Sequence, residues 1–163
     1  MKFFLKLVVW LMVLAVSAAI FGFSSQPAEQ SSEVSRGIVV KVLEKSVSGY
    51  NDMPKAEKTN LIKKYHNFVR KLAHYSLYTL WGILTSCLFQ LYNIKRYRQI
   101  ILTVAAGFIF AGSDEIHQLF VPGRSGQFTD VLLDTIGVLT GCFINALVVY
   151  MLGRRLKFIK KNN

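Results

Sequence analysis

Four long apolar runs constrain this chain more than any other feature of its sequence. They are Phe3–Phe23, Phe68–Tyr92, Ile100–Phe120 and Val131–Leu152, and each reaches the roughly 20 residues that an α-helix needs to cross a bilayer. The composition, 52% hydrophobic and 18% charged residues, excludes a disordered chain and argues against a soluble enzyme. The sequence therefore predicts an all-α, polytopic membrane protein, in which a single domain (1–163) forms a bundle of four transmembrane helices.

The first run allows two interpretations. Lys2 and Lys6 accompany an apolar stretch that reaches the small residues Ser17–Ala19, an arrangement that also occurs in cleaved signal peptides. The apolar run continues past these small residues to Phe23. This continuation favours a retained transmembrane anchor.

The polar segment 24–67 separates the first two runs and is too long for a turn. Apolar residues recur at helical spacing on both sides of a break at Gly49–Pro54. They predict two short amphipathic helices, which lie along the membrane surface or cap the bundle. These apolar residues are Val34, Ile38, Val42 and Leu43 before the break, and Leu61, Tyr65 and Phe68 after it.

The net charge of +11 points to membrane orientation and not to nucleic acid, because the basic residues flank the apolar runs and form no patch with aromatic residues. They are concentrated between the second and third runs and after the fourth, at Lys95, Arg96, Arg98, Arg154, Arg155, Lys157, Lys160 and Lys161. The positive-inside rule then places both chain termini in the cytoplasm and residues 24–67 and 121–129 outside. Segment 24–67 is itself basic, which weakens this assignment without reversing it.

The unusual polar residues lie at helix ends that share one membrane face. In a four-helix bundle, the end of the first helix, the start of the second, the end of the third and the start of the fourth meet on the same side. Ionisable side chains at membrane depth cost at least about 2.5–3.5 kcal/mol each, so they normally pair inside a bundle. We therefore predict one polar pocket. Its catalytic candidates are His74, Asp114, Glu115 and His117, and its ligand-binding candidates are Ser25, Gln26, Arg70, Lys71, Tyr78, Gln118, Arg124, Asp130 and Asp134.

Helical spacing groups several of these residues on common faces. On the fourth helix, Asp130 and Asp134 continue into Gly137 and Gly141 at intervals of about four residues. The two glycines would let another helix approach closely while the carboxylates face that same partner. Spacing also predicts a stripe on the third helix, formed by Asp114, His117 and Gln118.

Simpler roles compete with a shared site. Arg70 and Lys71 at the start of a helix also suit headgroup anchors, and Asp130 near a helix N-terminus also complements the helix dipole. The polar series from Asp114 to Gln118, at the end of an otherwise apolar helix, favours a functional role more strongly.

Three stretches of the chain resemble the VanZ-like family of bacterial membrane proteins. They are Phe-Ser-Ser-Gln at Phe23–Gln26, Arg-Lys-x-x-His-x-x-x-Tyr at Arg70–Tyr78, and Ser-Asp-Glu-x-x-Gln-x-Phe-x-Pro-x-Arg at Ser113–Arg124, which continues to Gly141. The third stretch is the most specific, and the resemblance spans nearly the whole chain. The family often has asparagine at the position of Asp134, so the resemblance implies no essential charge there.

The resemblance implies a small multi-pass protein of the bacterial cytoplasmic membrane that acts at the cell envelope. The namesake of the family is associated with low-level resistance to the glycopeptide teicoplanin. Three function classes remain open. They are an enzyme acting on an envelope lipid or lipid-linked cell-wall precursor, a non-catalytic module that binds such a ligand, and an accessory subunit of a larger envelope complex.

The residues of the pocket would have different roles in each function class. In an enzyme, the basic residues would bind phosphate, a histidine would transfer a proton, and Asp114 or Glu115 would orient that histidine or act as the base. In a binding module, the charges need only pair and bind. No serine stands out as a nucleophile. We predict no cofactor and no metal, because no motif with established metal-ligand spacing is present.

Overall fold

The computed structural model describes the backbone of residues 2–162 and the side chains of residues 3–154 other than Gln30 and Val34. Within these residues the chain is entirely helical, as predicted, with no β-strand. Its elements in chain order are α1 (Lys2–Ser24), α2 (Ala28–Ser46), a 3₁₀ helix (Tyr50–Asp52), α3 (Lys55–Leu91), α4 (Arg96–Gln118) and α5 (Phe128–Asn162). Several basic side chains used to predict orientation lie outside the described side chains, namely Lys2, Arg155, Lys157, Lys160 and Lys161.

Three helical segments of the described chain are long and apolar enough to cross a membrane. They are Phe3–Ser24, Arg96–Gln118 and Phe128–Arg154, with mean hydropathies of 2.4, 1.4 and 2.0. The remaining predicted span forms the second half of α3 and is not among them. This half of α3 packs against α1, α4 and α5, so it buries polar as well as apolar side chains, including Tyr78, Thr85 and Ser86. Length and composition thus identify three of the four predicted spans.

α3 is longer than the sequence predicts. It begins at Lys55, directly after Pro54, and continues without a break to Leu91. The second predicted short helix is therefore the first half of α3, which corrects that prediction. The reason is local, because residues 55–91 contain no proline and Gly82 is their only glycine. At 1.5 Å per residue α3 is about 55 Å long.

α2 packs against the first half of α3 through part of its apolar surface. Val39 and Leu43 are buried, whereas Ile38 and Val42 are 48% and 54% exposed. The predicted place of this apolar face, along the membrane surface or on the bundle, stays a prediction. The run from Ile38 to Leu43 is apolar on two adjacent helix faces, so its periodicity does not determine which face meets α3.

The face of α3 that meets α2 includes one residue of the predicted apolar pattern. Leu61 packs against the α2 cluster, together with Ile62 and Val69. Tyr65 and Phe68, which the spacing assigned to the same face, are 41% and 63% exposed. The contact with α2 is therefore shifted by one residue around the helix.

α3 and α5 cross closely at the two glycines of α5. A Cβ atom on Gly141 would lie 2.3 Å from the carbonyl oxygen of Thr79, and one on Gly137 would lie 2.8 Å from that of Tyr75. Backbone meets backbone at this crossing, which only glycine permits. This is the close approach predicted for the glycine pair, and it directs the start of α5 onto α3.

The main apolar core lies where α1, α3, α4 and α5 meet. Its fully buried members are Ile20, Tyr78, Ala111 and Val138. On α1, Ile20 lies about one turn before the buried polar residue Ser24. On α4, Ala111 lies about one turn before the buried Asp114. The polar cluster therefore lies directly at one end of the core.

Candidate functional site

Asp114 is the most deeply buried carboxylate of the polar cluster. It is 0% exposed, and its Oδ2 accepts hydrogen bonds from Ser24 Oγ at 2.7 Å and from Gln118 Nε2 at 3.2 Å. Its Oδ1 has no hydrogen-bond partner among the described atoms. The sequence predicted a site role for Asp114 and Gln118, but it named Ser25 as the ligand-binding serine where Ser24 makes this contact.

Glu115 joins α4 to the start of α5. Its Oε2 accepts a hydrogen bond from the backbone N–H of Gln127 at 2.8 Å, and its Oε1 accepts one from Gln118 Nε2 at 3.3 Å. Gly126 packs under the same turn, where a Cβ atom would lie 2.8 Å from the carbonyl oxygen of Glu115. The carboxylate is thus oriented by both the helix and the loop that follows it.

Arg124 connects the loop between α4 and α5 to the end of α1 by hydrogen bonds. Its Nε donates to the carbonyl oxygen of Gln26 and its Nη2 to that of Phe23, both at 3.0 Å, and its Nη1 donates to Gln118 Oε1 at 3.3 Å. Gln26 therefore contributes its backbone to the site. Burial is the main cause that lowers the pKa of Arg124, and electrostatic repulsion by the positive charge of Arg70 lowers it further.

An ion pair and a histidine–carboxylate contact connect α3 to α5. Lys71 Nζ pairs with Asp130, and His74 Nδ1 lies 3.7 Å from Asp134 Oδ2. The sequence placed Asp130, Asp134 and the two glycines on one face of α5. That face packs on α3, so both carboxylates lie beside side chains of α3. Arg70 differs from its neighbour Lys71, since no carboxylate among the described side chains lies within 4.0 Å of its guanidinium.

His117 lies apart from the buried cluster. Its Nε2 is 3.0 Å from Ser25 Oγ, and its ring packs on Phe21 with centroids 5.5 Å apart. Ser25 is exposed and donates its hydroxyl hydrogen to the carbonyl oxygen of Phe21 at 2.6 Å. His117 Nε2 and Ser25 Oγ lie within hydrogen-bond distance, and the Ser25 hydroxyl also lies within hydrogen-bond distance of the Phe21 carbonyl oxygen. The predicted stripe of α4 thus divides, with His117 on a different side from Asp114 and Gln118.

Tyr78 is buried beneath His74, with ring centroids 6.5 Å apart. It is 0% exposed, and its hydroxyl has no hydrogen-bond partner among the described atoms. The predicted ligand-binding residue therefore forms part of the floor under the site and is out of reach of solvent.

A small polar cavity joins most of these groups. Its lining consists of Arg70, Lys71, His74, Glu115, Gln118, Arg124, Asp130, Leu133 and Asp134. About 20 Å³ is available to the centre of a water molecule, which is room for about one water. Eight of its nine lining residues were predicted as site residues. Among residues 2–162, no three His, Cys, Asp or Glu side chains are placed to hold a metal ion.

A second buried polar network was missed by the sequence analysis. Gln99 Nε2 donates to Ser86 Oγ at 2.8 Å, and Asn145 Nδ2 donates to the same hydroxyl at 2.9 Å. These bonds tie α3, α4 and α5 together at the other end of the bundle, as interhelical hydrogen bonds do in membranes. The available signal was helical spacing of polar residues inside apolar runs, with Ser86 and Gln90 on α3 and Gln99 and Thr103 on α4.

Comparison with known families identifies the chain. The model of the family described as VanZ/LLP1 matches residues 7–150, a range that contains every residue of the polar cavity. Comparisons with curated proteins and with solved structures give no match. Because the family match covers most of the sequence and includes the apolar helices and the polar cluster, this chain belongs to the VanZ/LLP1 family of proteins.

Proposed function

We propose that this family member binds the anionic headgroup of an envelope lipid or lipid-linked cell-wall precursor against Arg70, at the edge of the polar cavity. The observation that carries the proposal is Arg70, a cation that lines the cavity without a carboxylate partner among the described side chains. Lys71 is paired with Asp130, and Arg124 is held by backbone carbonyls. A partly buried, unpaired guanidinium favours a planar anionic partner such as phosphate.

The proposed arrangement in the membrane has four spans. The second half of α3 would be the fourth, with its polar side chains turned to the other helices and its exposed ones to lipid. Both termini would then lie in the cytoplasm of a bacterial cell, and the cavity would open on the outer side of the cytoplasmic membrane. Packing of α1 against α3 and α4, with Ser24 bonded to Asp114, supports α1 as a retained anchor.

Lipid retention tests the binding proposal. The wild-type protein would be reconstituted with equal amounts of phosphatidylglycerol and phosphatidylcholine, extracted gently, and its bound lipid measured by mass spectrometry. We expect phosphatidylglycerol to be enriched on the wild type and to lose that enrichment in Arg70→Gln. Arg98→Gln is the matched control, since Arg98 is an exposed arginine in the predicted cytoplasmic connection. Equal enrichment in all three proteins would overturn the proposal.

A catalytic role is separated from binding by two isosteric changes. Glu115→Gln keeps an acceptor for the Gln127 N–H, and His74→Asn keeps a polar group near Asp134. Both variants remove proton transfer. If the protein only binds, they should retain phosphatidylglycerol and cellular function. If it catalyses a reaction, they should bind lipid but lose function, which would assign His74 and Glu115 to proton transfer.

Family membership makes teicoplanin susceptibility a cellular measure of this proposal. A Gram-positive host would express wild type or Arg70→Gln at matched membrane levels, with vancomycin as the comparison glycopeptide. A resistance role that uses the cavity predicts a shift selective for teicoplanin that Arg70→Gln abolishes. No shift with wild type would exclude this resistance role and leave the lipid-binding measurement as the test of function.

A further inference from the structure

An apolar groove adjoins the polar cavity and opens between α1, α2 and α3. It has a volume of about 420 Å³, within the usual range of about 300–1,000 Å³ for ligand pockets. Its walls are mainly apolar and include Phe23 from α1, Ile38 from α2, and Val69, Ala73 and Leu77 from α3.

The groove and the polar cavity share one boundary. Arg70, His74 and Arg124 line both of them. A ligand that placed an anionic group against Arg70 would therefore have an apolar channel immediately beside that group. A polar site next to an apolar groove matches an amphipathic molecule, which has a polar headgroup joined to an apolar chain.

The direction of the groove fits a lipid that stands in the bilayer. Leu77 lies seven residues beyond Arg70 on α3, or about 10 Å along the helix axis towards the proposed membrane interior. The apolar walls at Phe23 and Ile38 are 52% and 48% exposed, so the groove is open at its side. A hydrocarbon chain can enter through this open side.

We propose that this groove binds one acyl chain of an anionic phospholipid whose phosphate lies against Arg70. The inference rests on the proposed function and deepens it, because it specifies a membrane phospholipid as the ligand and assigns separate places to headgroup and chain. Recognition of the chain is apolar and recognition of the headgroup is ionic, so different substitutions affect the two.

A photoactivatable lipid tests the chain position. Phosphatidylglycerol with a diazirine in the middle of one acyl chain would be reconstituted with the full-length protein, irradiated, and its attachment sites mapped by mass spectrometry. We expect cross-links concentrated on Phe23 and on Ala73–Leu77. Cross-links spread evenly over all lipid-facing helices would overturn the proposal, because they indicate bulk lipid only.

Filling the groove gives a second test. Ala73→Phe places a bulky side chain in it, and Ala105→Phe is the matched control, since Ala105 is also exposed and lines a separate apolar hollow on α4. We expect a severalfold loss of cross-linking at Leu77 in Ala73→Phe and the wild-type yield in Ala105→Phe. An unchanged yield in Ala73→Phe would overturn the chain position.

Arg70→Gln distinguishes this failure from failure of the proposed function. If Arg70→Gln abolishes the preference for phosphatidylglycerol while Ala73→Phe changes nothing, headgroup binding stands and the chain position is wrong. If Ala73→Phe removes the cross-link while Arg70→Gln leaves the lipid preference intact, the groove binds a chain without ionic recognition, and both the proposed function and the phospholipid assignment are overturned.

Discussion

Buried hydrogen bonds around Asp114 make single residues of the site unequal in their effect on stability. Ser24 donates to the carboxylate, whereas the hydroxyl of Tyr78 donates to nothing described. We predict that Ser24→Ala destabilises the protein by about 1–3 kcal/mol, because it removes the shorter of the two hydrogen bonds that the buried Asp114 carboxylate accepts. Tyr78→Phe removes no such bond and should change stability little. Unfolding curves in detergent would check this, and equal destabilisation by both changes would contradict it.

Residue types and their spacing predicted most of this site. Asp130, Asp134 and the two glycines of α5 were placed on one face, and that face meets α3. The sequence did not reveal that Arg124 is held by the carbonyls of Phe23 and Gln26. Backbone acceptors carry no residue signature, so a contact of this kind cannot be predicted from side-chain patterns.

The crossing of α3 and α5 depends on the small size of particular glycines. Gly141 has the carbonyl oxygen of Thr79 within 2.3 Å of its Cβ position, but Gly112 on α4 has no atom within 4 Å. We predict that Gly141→Ala destabilises the protein by about 1–3 kcal/mol or more through overpacking. Gly112→Ala should be neutral or stabilise by up to about 1 kcal/mol, because alanine is the better helix former.

Thermal unfolding in detergent measures both changes. A Gly141→Ala protein as stable as wild type would show that the helices can separate without loss, and it would contradict the close crossing. A large loss of stability in Gly112→Ala would contradict the open space that the structure shows beside Gly112.

The packing of α2 on α3 should depend on pH through His66. His66 Nε2 lies 3.2 Å from Ser32 Oγ, and burial, then Arg70 and Arg36, lower the pKa of His66 from its usual 6.5. The unfolded state therefore binds a proton more readily than the folded state. The contribution of His66 to the free energy of unfolding is largest above about pH 6.5 and declines as pH falls below that value. The pair α2 and α3 should loosen in acid.

Hydrogen exchange of the α2 amides at several pH values tests this expectation. Intrinsic amide exchange slows as pH falls, so each measured rate is divided by its intrinsic rate. The resulting protection of the α2 amides should weaken below pH 6.5 in wild type, and His66→Gln should abolish that additional pH dependence. The same additional dependence in His66→Gln would assign it to another group.

Element by element, the sequence predicted helices well and their faces less well. α1, α4 and α5 follow from long apolar runs, since a bilayer imposes both length and composition. The face of α2 that meets α3 could not be predicted, because Ile38–Leu43 is apolar on two sides. α3 was divided in two because its amphipathic first half and its more apolar second half differ in pattern, although no residue breaks the helix between them.

For the whole molecule, the proposed topology predicts that the two ends of α3 lie on opposite sides of the membrane. Ser48→Cys and Arg98→Cys would be made separately in a chain with Cys87→Ala and Cys142→Ala, and intact cells would be treated with a membrane-impermeant thiol reagent. We expect labelling at position 48 and none at position 98 until the cells are lysed. Labelling of both positions in intact cells would show that α3 does not cross, and the reverse pattern would invert the orientation.

The central claim, that Arg70 binds the phosphate of an anionic lipid, is tested most directly by solid-state NMR. Protein with ¹³C-labelled arginine guanidinium carbons would be reconstituted in phosphatidylglycerol, and dipolar dephasing of those carbons by ³¹P would be measured. A direct pair, with about 2.8 Å between nitrogen and oxygen, predicts strong dephasing that disappears in Arg70→Gln and persists in Arg98→Gln. The same dephasing in wild type and Arg70→Gln would contradict the claim, because the phosphate contacts would then belong to other arginines.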